Sequence, residues 1–286
     1  MKGRRYWSVM PDLLREGWLF ASGTGQLAYS GRFLAVCHFF DARLRNMARR
    51  RRAAEHCYPA LIPTETLRQL DFFASFPHLA TFASHRKSKD PDHALSPAVC
   101  YHTSNLLRNK RIPRVPYCVT AAGACFRFEG PALRNTPERL WNFTMREIIF
   151  FGSASQIESM RRSLMASVKR LAAGASVVAR LEEASDPFFL GTSSGKLLLQ
   201  RLKKLKYELQ ANFTENGNLA IASFNNHEDF FAKRMNIRLP NGTIAHSGCV
   251  AFGIERWAYV FLCQNGLDPR SWPARLRRYV LQNETR

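Results

Sequence analysis

The sequence predicts an α+β fold in which helices flank one mostly antiparallel sheet. Short apolar runs separated by Gly or Pro are typical of antiparallel strands, and longer segments with an apolar residue every three to four positions are typical of helices. No linker divides the 286 residues, of which 46% are hydrophobic and 22% charged, the composition of a globular protein. We therefore expect a single domain over 1–286.

The first strong helix signal covers Gly31–Arg52 and ends in four consecutive arginines, Arg49–Arg52. These arginines fit either a nucleic-acid patch or a solvated helix end that the helix dipole stabilises, and we favour the helix end. A short helix is predicted at Thr64–Leu70, and a polar, proline-broken loop at His85–His93. The apolar side chains that give the long helix its spacing are Phe33, Val36, Cys37, Phe40, Leu44 and Met47.

The remaining elements follow from the same two periodicities. Helices that flank strands of this kind give an α+β architecture. Strands are predicted at Ala94–Tyr101, Tyr117–Ala122, Ala124–Phe128, Ile148–Phe151, Leu219–Phe224 and Cys249–Ile254. Helices are predicted at Ser155–Leu171, Glu255–Gln264 and Trp272–Leu281.

The net charge of the chain indicates that its partners are negatively charged. Lys and Arg number 42 against 22 Asp and Glu, a formal net charge of +20. Such a surplus strengthens encounters with polyanions, so nucleic acid, nucleotide phosphates and an acidic protein all stay open. No window offers the roughly eighteen uninterrupted apolar residues of a membrane span, and Pro11 and Asp12 interrupt any N-terminal signal sequence. We expect a cytoplasmic protein without a membrane span.

The segment Cys125–Gly152 carries the first candidate site residues. Arg127 and Glu129 lie two positions apart, so on a strand both side chains point to one face. Arg139 and Phe143 follow after a polar loop. Arg127 and Glu129 could form a plain cross-strand ion pair. The alternative is a nucleotide site, in which an arginine neutralises a phosphate, a carboxylate accepts from an exocyclic amine, and an aromatic ring stacks on a purine.

A second segment, His246–Val260, predicts a strand of small residues that runs into a helix at Glu255 and Arg256. The two segments together resemble motifs 2 and 3 of the class II aminoacyl-tRNA synthetases. In that family motif 2 is an fRxE strand, a variable loop and an rxxxF strand, and motif 3 is a glycine-rich strand ending in eR. The matches are FRFE at 126–129 and RLWNF at 139–143 for motif 2, GIER at 253–256 for motif 3, and Gly31–Arg52 followed by a proline-containing strand at Tyr58–Pro63 for motif 1.

Within this class, the chain most resembles the amino acid:[carrier protein] ligases, truncated relatives of the atypical, zinc-dependent seryl-tRNA synthetases. The resemblance implies their fold, a class II aminoacyl-tRNA synthetase-like antiparallel sheet flanked by helices, in one catalytic domain. The segments that carry the resemblance are 95–101, 145–147, 184–189, 205–208, 223–227 and 245–249.

The resemblance implies a zinc site made by Cys100, Glu147 and Cys249. Three protein ligands leave zinc an open position, which in this family the α-amino group of the substrate takes. The chain has seven cysteines, an odd number without a CxxC pair, so we expect no disulfide framework. Cys125 lies close to motif 2 and is the alternative ligand; we assign it to the core.

The resemblance also implies an ATP site and a reaction type. Catalysis would rest on positioning and charge stabilisation of an in-line attack at phosphorus, with no covalent enzyme intermediate. The implied catalytic residues are Arg127, on the α-phosphate and attacking carboxylate, and Arg256, on the γ-phosphate. The further ATP-binding residues are Glu129 on adenine N6, Phe143 stacked on the base, Arg139, and Glu208 and Asn225 at positions that bind Mg²⁺ or substrate.

The implied reaction activates a small amino acid (glycine, alanine or serine) to its adenylate and transfers it to the phosphopantetheine thiol of an acidic acyl or peptidyl carrier protein. Only about thirty residues precede the motif 1 helix, too few for the separate tRNA-binding domain of the tRNA-charging relatives. An RNA-aminoacylating or RNA-binding paralogue is the alternative, because the positive charge suits tRNA equally well; a non-catalytic basic module is a third. The family pairs through motif 1, so we expect a homodimer.

Overall fold

The computed structural model describes residues 6–85, 91–184 and 204–283. The family-like segment 184–189 lies outside these ranges beyond Ala184. In chain order the strands are β1 Leu19–Gly23, β2 Gln26–Tyr29, β3 Ala54–Glu55, β4 Leu61–Pro63, β5 Phe82–Ala83, β6 His93–Leu95, β7 Tyr117–Phe126, β8 Asn142–Gly152, β9 Ala179–Glu183, β10 Lys206–Asn212, β11 Asn218–Glu228 and β12 His246–Gly253. The α-helices are α1 Met10–Arg15, α2 Gly31–Arg49, α3 Thr64–Gln69, α4 Phe72–Ser75, α5 Val99–Leu106, α6 Ala154–Gly174, α7 Phe230–Arg234, α8 Ile254–Asn265 and α9 Ala274–Asn283.

A seven-stranded sheet forms the centre of the fold, with strand order β3-β7-β8-β12-β11-β10-β9. Its neighbours pair antiparallel except at one edge, where β3 runs parallel to β7. Two smaller sheets, β1-β2 and β4-β6-β5, lie outside it. The predicted α+β class is confirmed. In the described part of the chain, no helix is long and apolar enough to span a bilayer.

The two faces of this sheet bury separate cores, because successive side chains of a strand point to opposite faces. On β8, Ile148 and Phe150 enter a core shared with α2, α6, α8 and α9. Ile149 and Phe151 enter a second core, which also contains residues of α5 and α7. Glu147 lies on this second face by the same alternation, so strand geometry brings a carboxylate under α5.

The helix that follows β8 begins where its sequence provides an N-cap. Ser153 accepts from the backbone N–H of Gln156 at 3.4 Å, and Gln156 accepts from the Ser153 N–H at 2.9 Å. This reciprocal capping box satisfies two N–H groups that a helix start leaves unpaired. The helix predicted at Ser155–Leu171 is thus confirmed, with its first residue at Ala154.

The long helix α2 ends at Arg49, and the arginine run continues into a turn. Arg51 donates from Nη1 to the Met47 carbonyl at 3.0 Å and from Nη2 to the Ser167 hydroxyl at 2.9 Å. A basic side chain that bonds to the last carbonyls of a helix stabilises its C-terminus. These contacts agree with the interpretation of the run as a helix end.

Three local predictions are wrong. The run Ala94–Tyr101 is a strand only up to Leu95, and helix α5 begins at Val99. The two strands predicted around Gly123 are one, β7, which ends at Phe126. Arg127 and Glu129 therefore follow the strand, although the Arg127 N–H still bonds to the Trp141 carbonyl at 2.8 Å.

The strand assigned to motif 1 is also placed differently. Strand β4 joins the small sheet with β6, while the short strand β3, just after α2, makes the parallel edge of the large sheet. Arg139 precedes β8 instead of lying on it.

Candidate active site

One cavity of about 470 Å³ lies on the face of the sheet that α5 and α7 cover. Every site residue that the sequence suggested lines it. Strands β8, β10, β11 and β12 contribute its floor, and the segment between β7 and β8 contributes one wall. The ten residues are Cys100, Arg127, Glu129, Arg139, Phe143, Glu147, Glu208, Asn225, Cys249 and Arg256.

Cys100, Glu147 and Cys249 come together in the lining of this cavity. One donor atom from each lies within 4.8 Å of the other two, and all three residues are buried. Cys100 stands in the first turn of α5, while Glu147 and Cys249 stand on the neighbouring strands β8 and β12. Among the described residues this is the one group of three or more such side chains close enough to hold a metal ion.

Burial makes the charged forms of Glu147 and Cys100 costly. Burial raises the pKa of Glu147 to about 7, against the lowering effect of a hydrogen bond from Cys100. Hydrogen bonding to Cys249 and burial raise the pKa of the Cys100 thiol well above its usual value. Glu147 Oε2 is buried without a hydrogen-bond partner in the described chain. A buried oxygen of this kind is costly unless a donor or a cation satisfies it.

Cys125, the alternative ligand, is a core residue. It stands opposite Phe143 across β7 and β8, is fully buried, and packs in the apolar core of that face. It is outside the group around Glu147. This position favours its assignment to the core over the role of a ligand.

The cavity lining also carries three arginines, Arg127, Arg139 and Arg256. The Arg127 guanidinium lies 5.5 Å from the centre of the Phe143 ring, and its Nε donates to the Pro97 carbonyl at 3.0 Å. Arg139 forms an ion pair with Glu129. The ion pair considered between Arg127 and Glu129 is therefore not found among the described residues: Glu129 pairs with Arg139 instead, and Arg127 lines the cavity.

Arg256 is held by the chain around it. Its Nε donates to the Glu138 carbonyl at 2.9 Å and its Nη1 to the Ala220 carbonyl at 3.1 Å. Burial lowers the pKa of Arg256 to about 10, so it keeps its charge at neutral pH. A fixed, desolvated cation stabilises negative charge far more than a solvated one.

Two further polar side chains, Asn225 and Glu208, line the cavity. Asn225 donates from Nδ2 to the Cys249 sulfur at 3.3 Å and to the Ser223 hydroxyl at 3.2 Å. Its Oδ1 is buried without a hydrogen-bond partner in the described residues. Glu208 accepts from Lys206 at 2.8 Å and from Gln210 at 2.9 Å.

Two contributors to the site escaped the sequence argument. Lys206 lies two positions before Glu208 on strand β10, so the two side chains point to the same face. This spacing could have identified Lys206 from the sequence. Tyr29 donates to Glu255 Oε1 at 2.8 Å, and the same oxygen accepts from the Thr144 N–H at 2.8 Å. No local sequence pattern predicts a contact between the β1-β2 hairpin and the start of α8.

Comparison with known proteins agrees with the motifs. No family model matches the chain. Amino acid–[acyl-carrier-protein] ligase 1 of Bradyrhizobium diazoefficiens is 34% identical over 188 residues, which cover 65% of this chain and 57% of that protein. The type-2 serine–tRNA ligase of Methanopyrus kandleri is 25% identical over a 313-residue alignment, 93% of this chain and 58% of that protein.

A solved structure decides the fold. The chain superposes with a TM-score of 0.86 and 22% identity on the complex of A. aeolicus tRNASec with M. kandleri seryl-tRNA synthetase, over 99% of this chain and 62% of that one. The chain has the class II seryl-tRNA synthetase fold. The predicted resemblance to the carrier-protein ligases and type-2 seryl-tRNA ligases is confirmed as well. The alignments span little more than half the length of these curated relatives.

In this fold, each of the three motifs corresponds to particular strands and helices. The parallel edge β3 follows α2 of motif 1, the long hairpin β7-β8 contains motif 2, and β12 with α8 contains motif 3. Motifs 2 and 3 are far apart in sequence, yet β8 and β12 are neighbours in the sheet. This adjacency brings Arg127 and Arg256 to one cavity.

Proposed function

We propose that this chain activates a small amino acid with ATP and transfers the aminoacyl group to the phosphopantetheine thiol of a carrier protein. One observation carries the proposal: a buried group of possible metal ligands and fixed arginines share a single cavity. An amino acid has a basic amine at one end and a nucleophilic carboxylate at the other. The cavity offers a partner for each.

The amine end is the group Cys100, Glu147 and Cys249, for which we propose zinc. Two thiols and a carboxylate are a donor set that zinc accepts, and the unpartnered oxygen of Glu147 is satisfied by a cation. When bound, zinc with three protein ligands supplies an open position for a neutral amine. The rings of Tyr101 and Phe231, which contact each other beside Cys100, favour a small side chain there.

The carboxylate end is the cationic part of the cavity. We propose that Arg127 holds the amino acid carboxylate and the α-phosphate of ATP, and that Arg256 holds the γ-phosphate. Arg139 would bind nucleotide beside them. Glu129 would accept from the adenine amine, and Phe143 would stack on the base.

Glu208 and Asn225 are proposed to bind Mg²⁺ with ATP. A carboxylate and an amide oxygen are ligands that Mg²⁺ prefers, and it keeps several waters in addition. Asn225 offers the buried Oδ1 that has no partner among the described residues. Glu208 must first give up its contact with Lys206.

The proposed chemistry has two steps. A carboxylate oxygen of the amino acid attacks the α-phosphorus in line, the bond to the pyrophosphate oxygen breaks, and aminoacyl-adenylate forms. The thiol of the carrier loses its proton to solvent and attacks the carbonyl carbon. The carbon–oxygen bond of the acyl phosphate anhydride breaks, AMP leaves with its electron pair, and the aminoacyl thioester forms. The protein positions the reactants and stabilises the developing charge without forming a bond to them.

A carrier protein is proposed as acceptor because a 34%-identical relative has the name of an amino acid–[acyl-carrier-protein] ligase. A net charge of +20 suits an acidic carrier through electrostatic steering. The complex with tRNASec among the similar structures makes RNA the second candidate acceptor. We further propose one catalytic domain and a homodimer formed through the α2 region.

The test is amino-acid-dependent ATP–pyrophosphate exchange, with and without a zinc chelator. Exchange with one or two small amino acids, abolished by the chelator and restored by zinc, is expected. Transfer to a phosphopantetheinylated acyl carrier protein and to tRNA is then compared. Loading of tRNA alone would contradict the carrier proposal, and the absence of exchange from zinc-loaded protein would contradict activation altogether.

A further inference from the structure

A compact cluster of cations lies on the surface at the end of α5. The loop after this helix contributes Arg108, Lys110 and Arg111, and the loop before β12 contributes Arg238; all four are exposed. None of them forms an ion pair with a carboxylate within the described residues. We call these four residues the α5 basic patch.

Backbone hydrogen bonds tie the two loops of the patch together. Arg111 and Arg238 form an isolated parallel bridge. The Arg238 N–H bonds to the Lys110 carbonyl at 3.0 Å, and the Ile112 N–H bonds to the Arg238 carbonyl at 2.8 Å. The cations are therefore presented by a fixed frame, which lowers the entropic cost of ordering them on a partner.

The frame holds two guanidinium groups against one glycine. Arg238 donates from Nη1 to the Gly242 carbonyl at 2.7 Å and from Nε to Asn236 Oδ1 at 2.9 Å, both neutral acceptors. Arg111 Nη2 lies 3.5 Å from the point where a β-carbon on Gly242 would be, and Gly242 has a positive φ of 89°. Like charges held side by side repel each other, and an anion offsets that repulsion.

The patch is close to the proposed reaction centre. Cys100 stands near the first residue of α5 and the patch begins just after the last. At about 1.5 Å of rise per residue, the two are separated by about 10 Å along the helix axis. A partner bound at the patch is thus within reach of the cavity for a thiol on an extended arm.

We infer that the α5 basic patch is the docking surface for the acidic face of the carrier protein. The inference rests on the proposed function. The loops at 107–116 and 235–245 contain no aromatic residue, whereas proteins that read single-stranded RNA stack bases on aromatic rings. None of the four cations lines the cavity, so the patch suits a macromolecular surface and not a small anion. Charge pairing of this kind mainly raises the rate of association.

The test compares two double charge reversals. Arg111→Glu with Arg238→Glu removes the centre of the patch. Arg277→Glu with Arg278→Glu makes the same change in net charge on α9, whose exposed face lies on the other side of the sheet. A milder pair, Arg111→Gln with Arg238→Gln, covers the case in which the reversal disturbs folding.

Each variant is assayed in three reactions: ATP–pyrophosphate exchange, loading of a phosphopantetheinylated acyl carrier protein, and loading of free pantetheine. Its binding of tRNA is measured as well. The patch reversal is expected to lower kcat/KM for the carrier by at least about tenfold and to flatten its dependence on salt. Exchange and pantetheine loading are expected to stay within about twofold. The control reversal on α9 is expected to leave all three reactions within the same about twofold range.

Carrier loading that is unchanged by the patch reversal, or lowered equally by the control, overturns the inference and leaves the proposed function standing. An equal loss with free pantetheine also overturns it, because pantetheine lacks the acidic protein surface. Loss of tRNA binding without loss of carrier loading would assign the patch to RNA. Failure of the wild-type protein to load any carrier overturns the proposed function itself and the inference with it.

Discussion

Lys206 and Glu208 form an ion pair inside the candidate active site, with the ammonium nitrogen 2.8 Å from Oε1 and the two side chains 13% and 11% exposed. Oε2 of the same carboxylate accepts from Gln210 at 2.9 Å. Both oxygens are therefore engaged. Because Glu208 is the proposed Mg²⁺ ligand, Lys206 and Mg²⁺ compete for one carboxylate.

Replacing Lys206 by Met should lower the Mg²⁺ concentration needed for half-maximal ATP–pyrophosphate exchange. Removal of the ammonium frees the carboxylate and removes a repulsive charge near the metal, and we expect a shift of about three- to tenfold. Lys206→Arg keeps the cation and should keep the wild-type requirement. An unchanged or higher requirement in the Met variant would show that Lys206 does not compete with the metal.

Arg256→Ala should abolish most of the amino acid activation while the protein stays folded. Removing a fixed cation that stabilises charge in a desolvated site typically costs about 10² to 10³ in rate. Arg256→Lys keeps the charge but cannot bond to the Glu138 and Ala220 carbonyls in the same geometry, so it should retain an intermediate rate. Exchange kinetics and the thermal midpoint are measured together, with the exposed Arg277→Ala as control. Full exchange activity of Arg256→Ala would remove Arg256 from the proposed site.

Elements with a long, regular period could be predicted from the sequence. The helices α2 and α6 follow directly from their apolar spacing, and the reciprocal cap at Ser153 fixes the start of α6. The strand prediction for Ala94–Tyr101 was wrong because a short apolar stretch has no periodicity that distinguishes a buried strand from a buried helix. At Arg127 and Glu129 the expected alternation continues past the last residue of β7, where the chain already turns away.

The prediction of the site residues depended on the resemblance to a known family, because no local sequence pattern identifies them. Cys100, Glu147 and Cys249 come from three elements far apart in the chain, and only the resemblance to a family named them together. The pairing of β8 with β12 then explains their proximity in physical terms. The contact of Tyr29 with Glu255 stayed hidden, because it depends on where the β1-β2 hairpin packs and not on any spacing in the sequence.

The proposed zinc ligands can be distinguished by mutation from the nearby Cys125. Cys100→Ser and Cys249→Ser should each lower zinc affinity by more than about tenfold and abolish exchange, because each removes a thiolate that we propose binds zinc. Cys125→Ala changes a cysteine of the same core that is outside the group, and should keep its zinc and its activity. Bound zinc is counted after purification and chelator competition. Loss of zinc from Cys125→Ala alone would make Cys125 the ligand and the present assignment wrong.

The buried His227 makes the folded protein sensitive to acid. Its Nδ1 lies 3.1 Å from the Ser247 hydroxyl, and its ring centre lies 4.6 Å from that of Phe231. Burial lowers the pKa of His227 from 6.5 to about 3. Below pH 6.5, His227 binds a proton in the unfolded chain but stays neutral in the folded chain. The free energy of unfolding therefore falls as the pH drops from 6.5 towards 3.

At pH 5 this penalty amounts to about 2 kcal/mol, from roughly 1.5 pH units at about 1.4 kcal/mol each. His227→Gln removes the titrating group, so between pH 7 and pH 5 it should lose about 2 kcal/mol less of its unfolding free energy than the wild type does. Urea unfolding at the two pH values measures the difference, and His38→Gln, at an exposed histidine of α2, should keep the wild-type change. An identical loss in His227→Gln and the wild type would mean that His227 takes up its proton as easily in the folded chain as in the unfolded one.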